Sequence, residues 1–185
     1  MSTVAIRSRA VAPCADDDRA SQAGPWAISY TSAPFPQSEA VAGPITATVY
    51  ASSTTPEVEL VAELEDVTPS GSSYPLTEGA LLGSLRAVNQ SRSWTANGMT
   101  LLPYHPYTKA SAQSVKPGAV TKYQIQIFPT LATIGRGDRL RLTLSTTDTP
   151  HLTPLPEQLP KLAGGIYTIG RSAAAPSSLT LELLR

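Results

Sequence analysis

The chain has 185 residues, room for one domain or one domain with a small appendage. Hydrophobic residues make up 41%, enough for a core, whereas charged residues are only 15% and Ser and Thr together roughly a fifth, a hydroxyl-rich balance that leans towards β structure. The 14 Lys and Arg offset the 14 Asp and Glu, which removes the electrostatic case for a nucleic-acid binder or an anionic-membrane binder.

From the N-terminus, residues 1–12 carry Arg7 and Arg9 but no apolar run of signal-peptide length, and read as an extension. No segment of the chain reaches the apolar length of a membrane span. Cys14 is the single cysteine, so no internal disulfide forms, and no basic or His neighbour in sequence makes it a thiolate. Asp16, Asp17 and Asp18 offer oxygens of the kind calcium takes, but consecutive carboxylates in an extended chain cannot all face one ion, and a solvated acidic turn is the simpler reading.

Alternation is the dominant pattern thereafter. Residues 26–31 form a weak first strand candidate. Ile45, Ala47 and Val49 oppose Thr46 and Thr48; Val58, Leu60, Ala62 and Leu64 oppose Glu59, Glu63 and Glu65. Residues 80–87 are another weak candidate. Tyr123, Ile125 and Ile127 oppose Lys122, Gln124 and Gln126, and Leu140, Leu142 and Leu144 oppose Arg139, Arg141 and Thr143. Residues 166–170 and the run Leu179, Leu181, Leu183 close the series. A two-residue period buries one face of each strand and wets the other, as in antiparallel sheets. Gly43-Pro44, Pro69-Ser70-Gly71, Pro117-Gly118 and residues 135–138 punctuate the strands as turns. Eight or so short strands with such turns predict an all-β chain folded as a β-sandwich or jelly roll.

Two long Pro-bearing segments, 89–118 and 147–165, lack clean alternation, and loops of that length are usually functional or packed against a partner. Residues 157–162 predict one helical turn. In the first segment Trp94, Tyr104 and Tyr107 have the makings of an aromatic platform for a sugar ring, or of a plug for the sandwich end or an interface. The only histidines are His105 and His151, and Ser145, Asp148 and His151 lie close in sequence. Three residues at one strand end rarely converge as a triad, and no G-x-S-x-G elbow accompanies them. One Cys and two distant His give no zinc spacing, so neither metal nor cofactor is expected. Arg136-Gly137-Asp138 falls where a tight turn needs Gly and Asp, between strands expected to end at Phe128 and to start at Arg139. The sequon at Asn89-Gln90-Ser91 has meaning only in a eukaryotic secretory setting.

The order of short motifs is more specific than any one of them. Residues 27–34 (AISYTSAP), 43–47 (GPITA) and 63–71 (ELEDVTPSG), then 77–86, the Val115-Lys116-Pro117-Gly118 turn and residues 137–142 (GDRLRL), resemble the C-terminal domain of X-Pro dipeptidyl-peptidases and cocaine-esterase-type (CocE/NonD) hydrolases. The resemblance runs from about Pro13 to Leu184, almost the whole chain. Two positions depart from it: residues 56–60 (PEVEL) stand where the family often has an aspartate-rich run, and Asp138 where it often has His.

That resemblance implies a jelly-roll β-sandwich of the galactose-binding-like type, in agreement with the strand pattern. It further implies that the nucleophilic Ser, the acid and the His belong to a separate α/β-hydrolase catalytic domain, in cis or as another chain, against which this domain packs and whose active-site region it helps to wall, with contacts to oligomer partners as well. No catalytic residue is expected in this chain. The expected interface or binding residues are Trp94, Tyr104, His105, Tyr107, Asp148 and His151, on the two long segments. An independent carbohydrate-binding module using the aromatic loop is the competing expectation.

Overall fold

The two-residue periods become antiparallel strands in the computed structural model, which describes residues 17–20, 22–147 and 154–184. Among the described residues the strands are β1 (Ala27–Thr31), β2 (Glu39–Ser53), β3 (Glu59–Val67), β4 (Ser73–Leu82), β5 (Trp94–Ala96), β6 (Met99–Leu102), β7 (Thr121–Ile134), β8 (Arg139–Ser145), β9 (Tyr167–Ile169), β10 (Ser178–Thr180) and β11 (Leu183–Leu184). One short helix, α1 (Leu159–Leu162), falls within the predicted helical turn. No helix among the described residues is long and apolar enough to cross a membrane.

Two sheets make an all-β sandwich. The first has the order β1-β8-β3-β4. The second is built on β2, which pairs with β7 along one edge and with β11, β10 and β9 in succession along the other. The inward sets are those the alternation marked: Ile45, Ala47 and Val49 from β2, Leu60, Ala62 and Leu64 from β3, Ile125 and Ile127 from β7, Leu142 and Leu144 from β8. Each Val, Leu or Ile among them, when fully buried, contributes about 1.5–3 kcal/mol of transfer free energy, which is why the period governs the fold.

The departures from the predicted pattern trace to bulges. Between β2 and β7 the register shifts between Gly43 and Ile45, opposite Thr130 and Ile127. Pro44 and Pro129 both lie there and cannot donate to the ladder. The alternation therefore stops at Ile127, but pairing resumes and carries β7 to Ile134, beyond the end expected at Phe128. On the other edge of β2 the same bulge separates β11 from β10, so the predicted strand through Leu179, Leu181 and Leu183 is two. The candidate at 80–87 is corrected to β4, which ends at Leu82; a register shift where Pro75 and Thr77 face Glu65 and Leu64 hides its period. Residues 83–85 instead form a 3-10 turn. The two-residue turn at Asn97 and Gly98, both at positive φ, closes the β5–β6 hairpin inside the segment read as a loop, a hairpin signal the alternation did not use.

The two sheets meet along one side and part along the other. On the closed side β4 lies against β7: Thr77 Oγ1 donates to the Phe128 carbonyl at 2.8 Å, and Gly79 gives the backbone of Gln126 room to approach. On the other side β1 faces β9, β10 and β11 across a gap that no strand among the described residues fills.

Candidate functional site

The first long segment is fastened across the outer face of the second sheet. Thr46, fully buried on that face, donates its hydroxyl to the Leu101 carbonyl at 2.8 Å. His105 is 5% exposed. Its Nδ1 lies 3.0 Å from the Ala87 carbonyl oxygen and its Nε2 2.8 Å from that of Gln124. Carbonyl oxygens only accept, so a neutral ring satisfies one of them and an imidazolium both. His105 is thus a pin between the segment and β7. Tyr107, whose ring centroid is 5.3 Å from that of His105, takes a left-handed φ of 50°, a backbone conformation that costs a bulky residue about 1–3 kcal/mol.

The predicted aromatic residues separate into two kinds. Tyr104 is covered by the Arg92 guanidinium, 3.8 Å from its ring centroid, so that face is not offered to a ligand. Trp94 and Tyr107 are 63% and 55% exposed, and Met99 on the facing strand of the hairpin is 50% exposed. Asp148 and His151 lie outside the described residues, as do Cys14 and Asp16. Ser145 is described; its hydroxyl donates to the Thr147 carbonyl at 3.0 Å. Residues 135–138 form the expected turn: Gly137 has φ 89°, and the Asp138 carboxylate accepts from the Gly135 amide at 3.0 Å.

The acidic run splits. Asp17 is held by the Arg19 guanidinium at 2.6 Å and by the Ser73 amide at 3.0 Å, which keep its carboxyl well below the usual range. Asp18 turns instead to the outer face of the first sheet, where carboxylate oxygens of Asp18, Glu63 and Glu65 lie within 4.8 Å of one another. These are the described residues with the oxygen chemistry for a hard cation. Glu65 is fully buried and already well partnered: Gln22 donates to Oε1 at 2.7 Å, and Thr143 and Ser73 to Oε2 at 3.1 and 3.3 Å. Burial, then the charges of Asp18 and Glu63, push its carboxyl up to about 8. The alternation of Glu59, Glu63 and Glu65 predicts a wet face; residues N-terminal to β1 cover part of it, Gln22 over Glu65.

The gap at the open side is a groove of two lobes. One, of about 740 Å³, lies between Trp26, Ile28 and Leu60 and the Ile166–Ile169 stretch. The other, of about 530 Å³, lies among Phe35, Val49, Leu140, Leu142, Leu179 and Leu183. Tyr30, Leu144 and Arg171 line both. None of these stands out in the sequence as a site: Leu60, Leu140, Leu142 and Leu144 alternate as core residues should, and the pattern cannot tell which side of the core stays open.

Comparison with known proteins places the fold in a lineage. Residues 15–179 match the model of the X-Pro dipeptidyl-peptidase C-terminal non-catalytic domain. A protein named as a serine esterase from Mycobacterium bovis is 28% identical over 130 residues, 70% of this chain and 20% of that protein. An aminopeptidase from a marine sediment Thaumarchaeota archaeon superposes with a TM-score of 0.70 at 17% identity, over 93% of this chain and 28% of that one. A CocE/NonD family hydrolase from Staphylococcus aureus does so with 0.68 at 13%, over 86% and 30%. The chain spans about a fifth of the length of the curated relatives it matches.

Proposed function

Since the chain belongs to the family of X-Pro dipeptidyl-peptidase C-terminal non-catalytic domains, we propose that it is the accessory domain of a CocE/NonD-type serine hydrolase. It packs on an α/β-hydrolase domain, in cis or as a separate chain, and helps to wall the active site where that domain cleaves ester or amide bonds. The family match over residues 15–179, in relatives of which the sandwich is only a part, carries this reading.

The exposed apolar side chains of the first long segment support it. Trp94, Met99 and Tyr107 are large apolar side chains left in water on a segment that His105 and Thr46 hold rigidly to the sheet. Rigid exposed aromatics bury much area for little lost entropy when a partner covers them. The covered Tyr104 face speaks against a sugar platform made of all three aromatic residues.

The test combines two measurements. The chain alone is expected to hydrolyse neither p-nitrophenyl acetate nor an X-Pro anilide and to resist a fluorophosphonate serine probe. An α/β-hydrolase domain of the M. bovis esterase, cut free of its matching C-terminal region, is expected to co-elute with it, and less so with Trp94→Ala/Tyr107→Ala. Stoichiometric probe labelling of the isolated chain with turnover overturns the reading.

A further inference from the structure

The segment ahead of β1 crosses the outer face of the first sheet, and a buried carboxyl helps to fasten it there. Its start is tied to the first residue of β4: the Asp18 amide donates to the Ser73 carbonyl and the Ser73 amide to the Asp17 carboxylate, each at 3.0 Å. Farther along, the Gln22 side-chain amide bridges Asp18 and Glu65, donating to one oxygen of each at 2.6 and 2.7 Å. Glu65 beneath it is fully buried, and its neutral carboxyl bonds the Asp18 carboxylate as well.

The charges that face Glu65 are mostly of its own sign. Asp18 from the segment and Glu63 from β3 bring carboxylate oxygens within 4.8 Å, and Glu78 of β4 stands opposite Glu63. The cations nearby are engaged elsewhere. Arg19 holds Asp17, and Arg141, opposite Glu65 on β8, turns its guanidinium to side-chain oxygens of Gln22 and Thr31. An ionised Glu65 therefore adds negative charge to a place that is both buried and already acidic.

We propose that the segment is a strap released by rising pH: it lies on the sheet while Glu65 is neutral and lifts when Glu65 ionises, with the sandwich beneath it still folded. Lifting carries the Asp18 charge away and opens Glu65 to water, and it leaves the inward faces of both sheets untouched. The Glu65 carboxyl is raised from 4.5 to about 8 while the strap is down, so closure is favoured at low pH. The lifted fraction grows by up to about tenfold per pH unit between those values and levels off above them. The strap is separate from the hairpin, and the chain alone tests it.

Trypsin cleavage after Arg19, whose side chain is 52% exposed, reads the lifted form. Followed by mass and normalised to a small arginine amide substrate, it is expected to quicken at least tenfold from about pH 6 to about pH 8 and to leave a folded product. Glu65→Gln, whose amide donates to Asp18 at any pH, is expected to abolish the rise. Gln22→Ala, which removes the bridge from a half-buried position, is expected to quicken cleavage severalfold at about pH 6. The proposal is overturned if the parent rate stays flat, as when Arg141 swings to meet an ionised Glu65, if Glu65→Gln shows the same rise, or if Gln22→Ala is cut no faster than the parent. It is also overturned if amides of the β2–β7 ladder lose protection from hydrogen exchange to the level of the Asp18 amide, which marks unfolding of the whole chain.

Discussion

A β-carbon at Gly79 would lie 2.0 Å from the carbonyl oxygen of Gln126. The closest approach of the two sheets therefore depends on a residue without a side chain, and the obstacle is backbone, which cannot swing aside. Closure on this side and the groove on the other are two aspects of one arrangement, because sheets that touch along β4 and β7 diverge towards β1.

Gly79→Ala is accordingly expected to destabilise the chain by about 1–3 kcal/mol or more, as overpacking does when no rotamer can yield. Urea unfolding checks it. Thr77→Val, which removes only the bond to the Phe128 carbonyl, is expected to cost about 1 kcal/mol. An equal loss in both variants contradicts the backbone clash.

His105→Ala removes the pin between the first long segment and β7. The carbonyls of Ala87 and Gln124 lose a donor and a small void opens, together costing about 1–3 kcal/mol. Hydrogen exchange is expected to quicken over residues 103–113, while the β2–β7 ladder stays protected. Uniform loss of protection across the sandwich contradicts a local pin.

Glu65 makes stability depend on pH. Its carboxyl is raised from 4.5 to about 8 by burial first, then by Asp18 and Glu63. The folded chain keeps this proton where the unfolded chain has released it, so stability is greatest below the unfolded value and falls as pH rises from about 4.5 to about 8. The slope from this group is at most about 1.4 kcal/mol per pH unit. Glu65→Gln, which keeps the shape and an acceptor but cannot ionise, is expected to flatten that part of the profile in urea melts at stepped pH. An unchanged slope contradicts the assignment.

Trp94→Ala tests what the hairpin is for. With 63% of its surface in water, the residue contributes little to folding, and the unfolding free energy is expected to move by no more than about 0.5 kcal/mol. Capture of the hydrolase domain is expected to weaken by more than tenfold, as for an aromatic anchor. A stability loss matching the binding loss contradicts a docking role.

The all-β class, the inward faces of β2, β3, β7 and β8 and the family resemblance are all written in local sequence, because a two-residue period and short turn motifs need no distant information. Element ends were less legible, since the bulge at Gly43-Pro44 interrupts the period on β2 and on both strands that flank it. Cα pairing across that bulge, not the residues alone, decides where β7 ends and why β10 and β11 are separate. His105 was legible as a candidate but its role as a pin was not, because Ala87 and Gln124 meet it only after folding. The groove is wholly tertiary. Tyr30, Leu144 and Arg171 come from β1, β8 and the segment after β9, and only the sheets' parting on that side makes them the wall of a groove. The even charge gives no electrostatic case for a nucleic-acid partner; that Arg171 stands over the Tyr30 ring is a matter of where the chain brings them, which no net charge records.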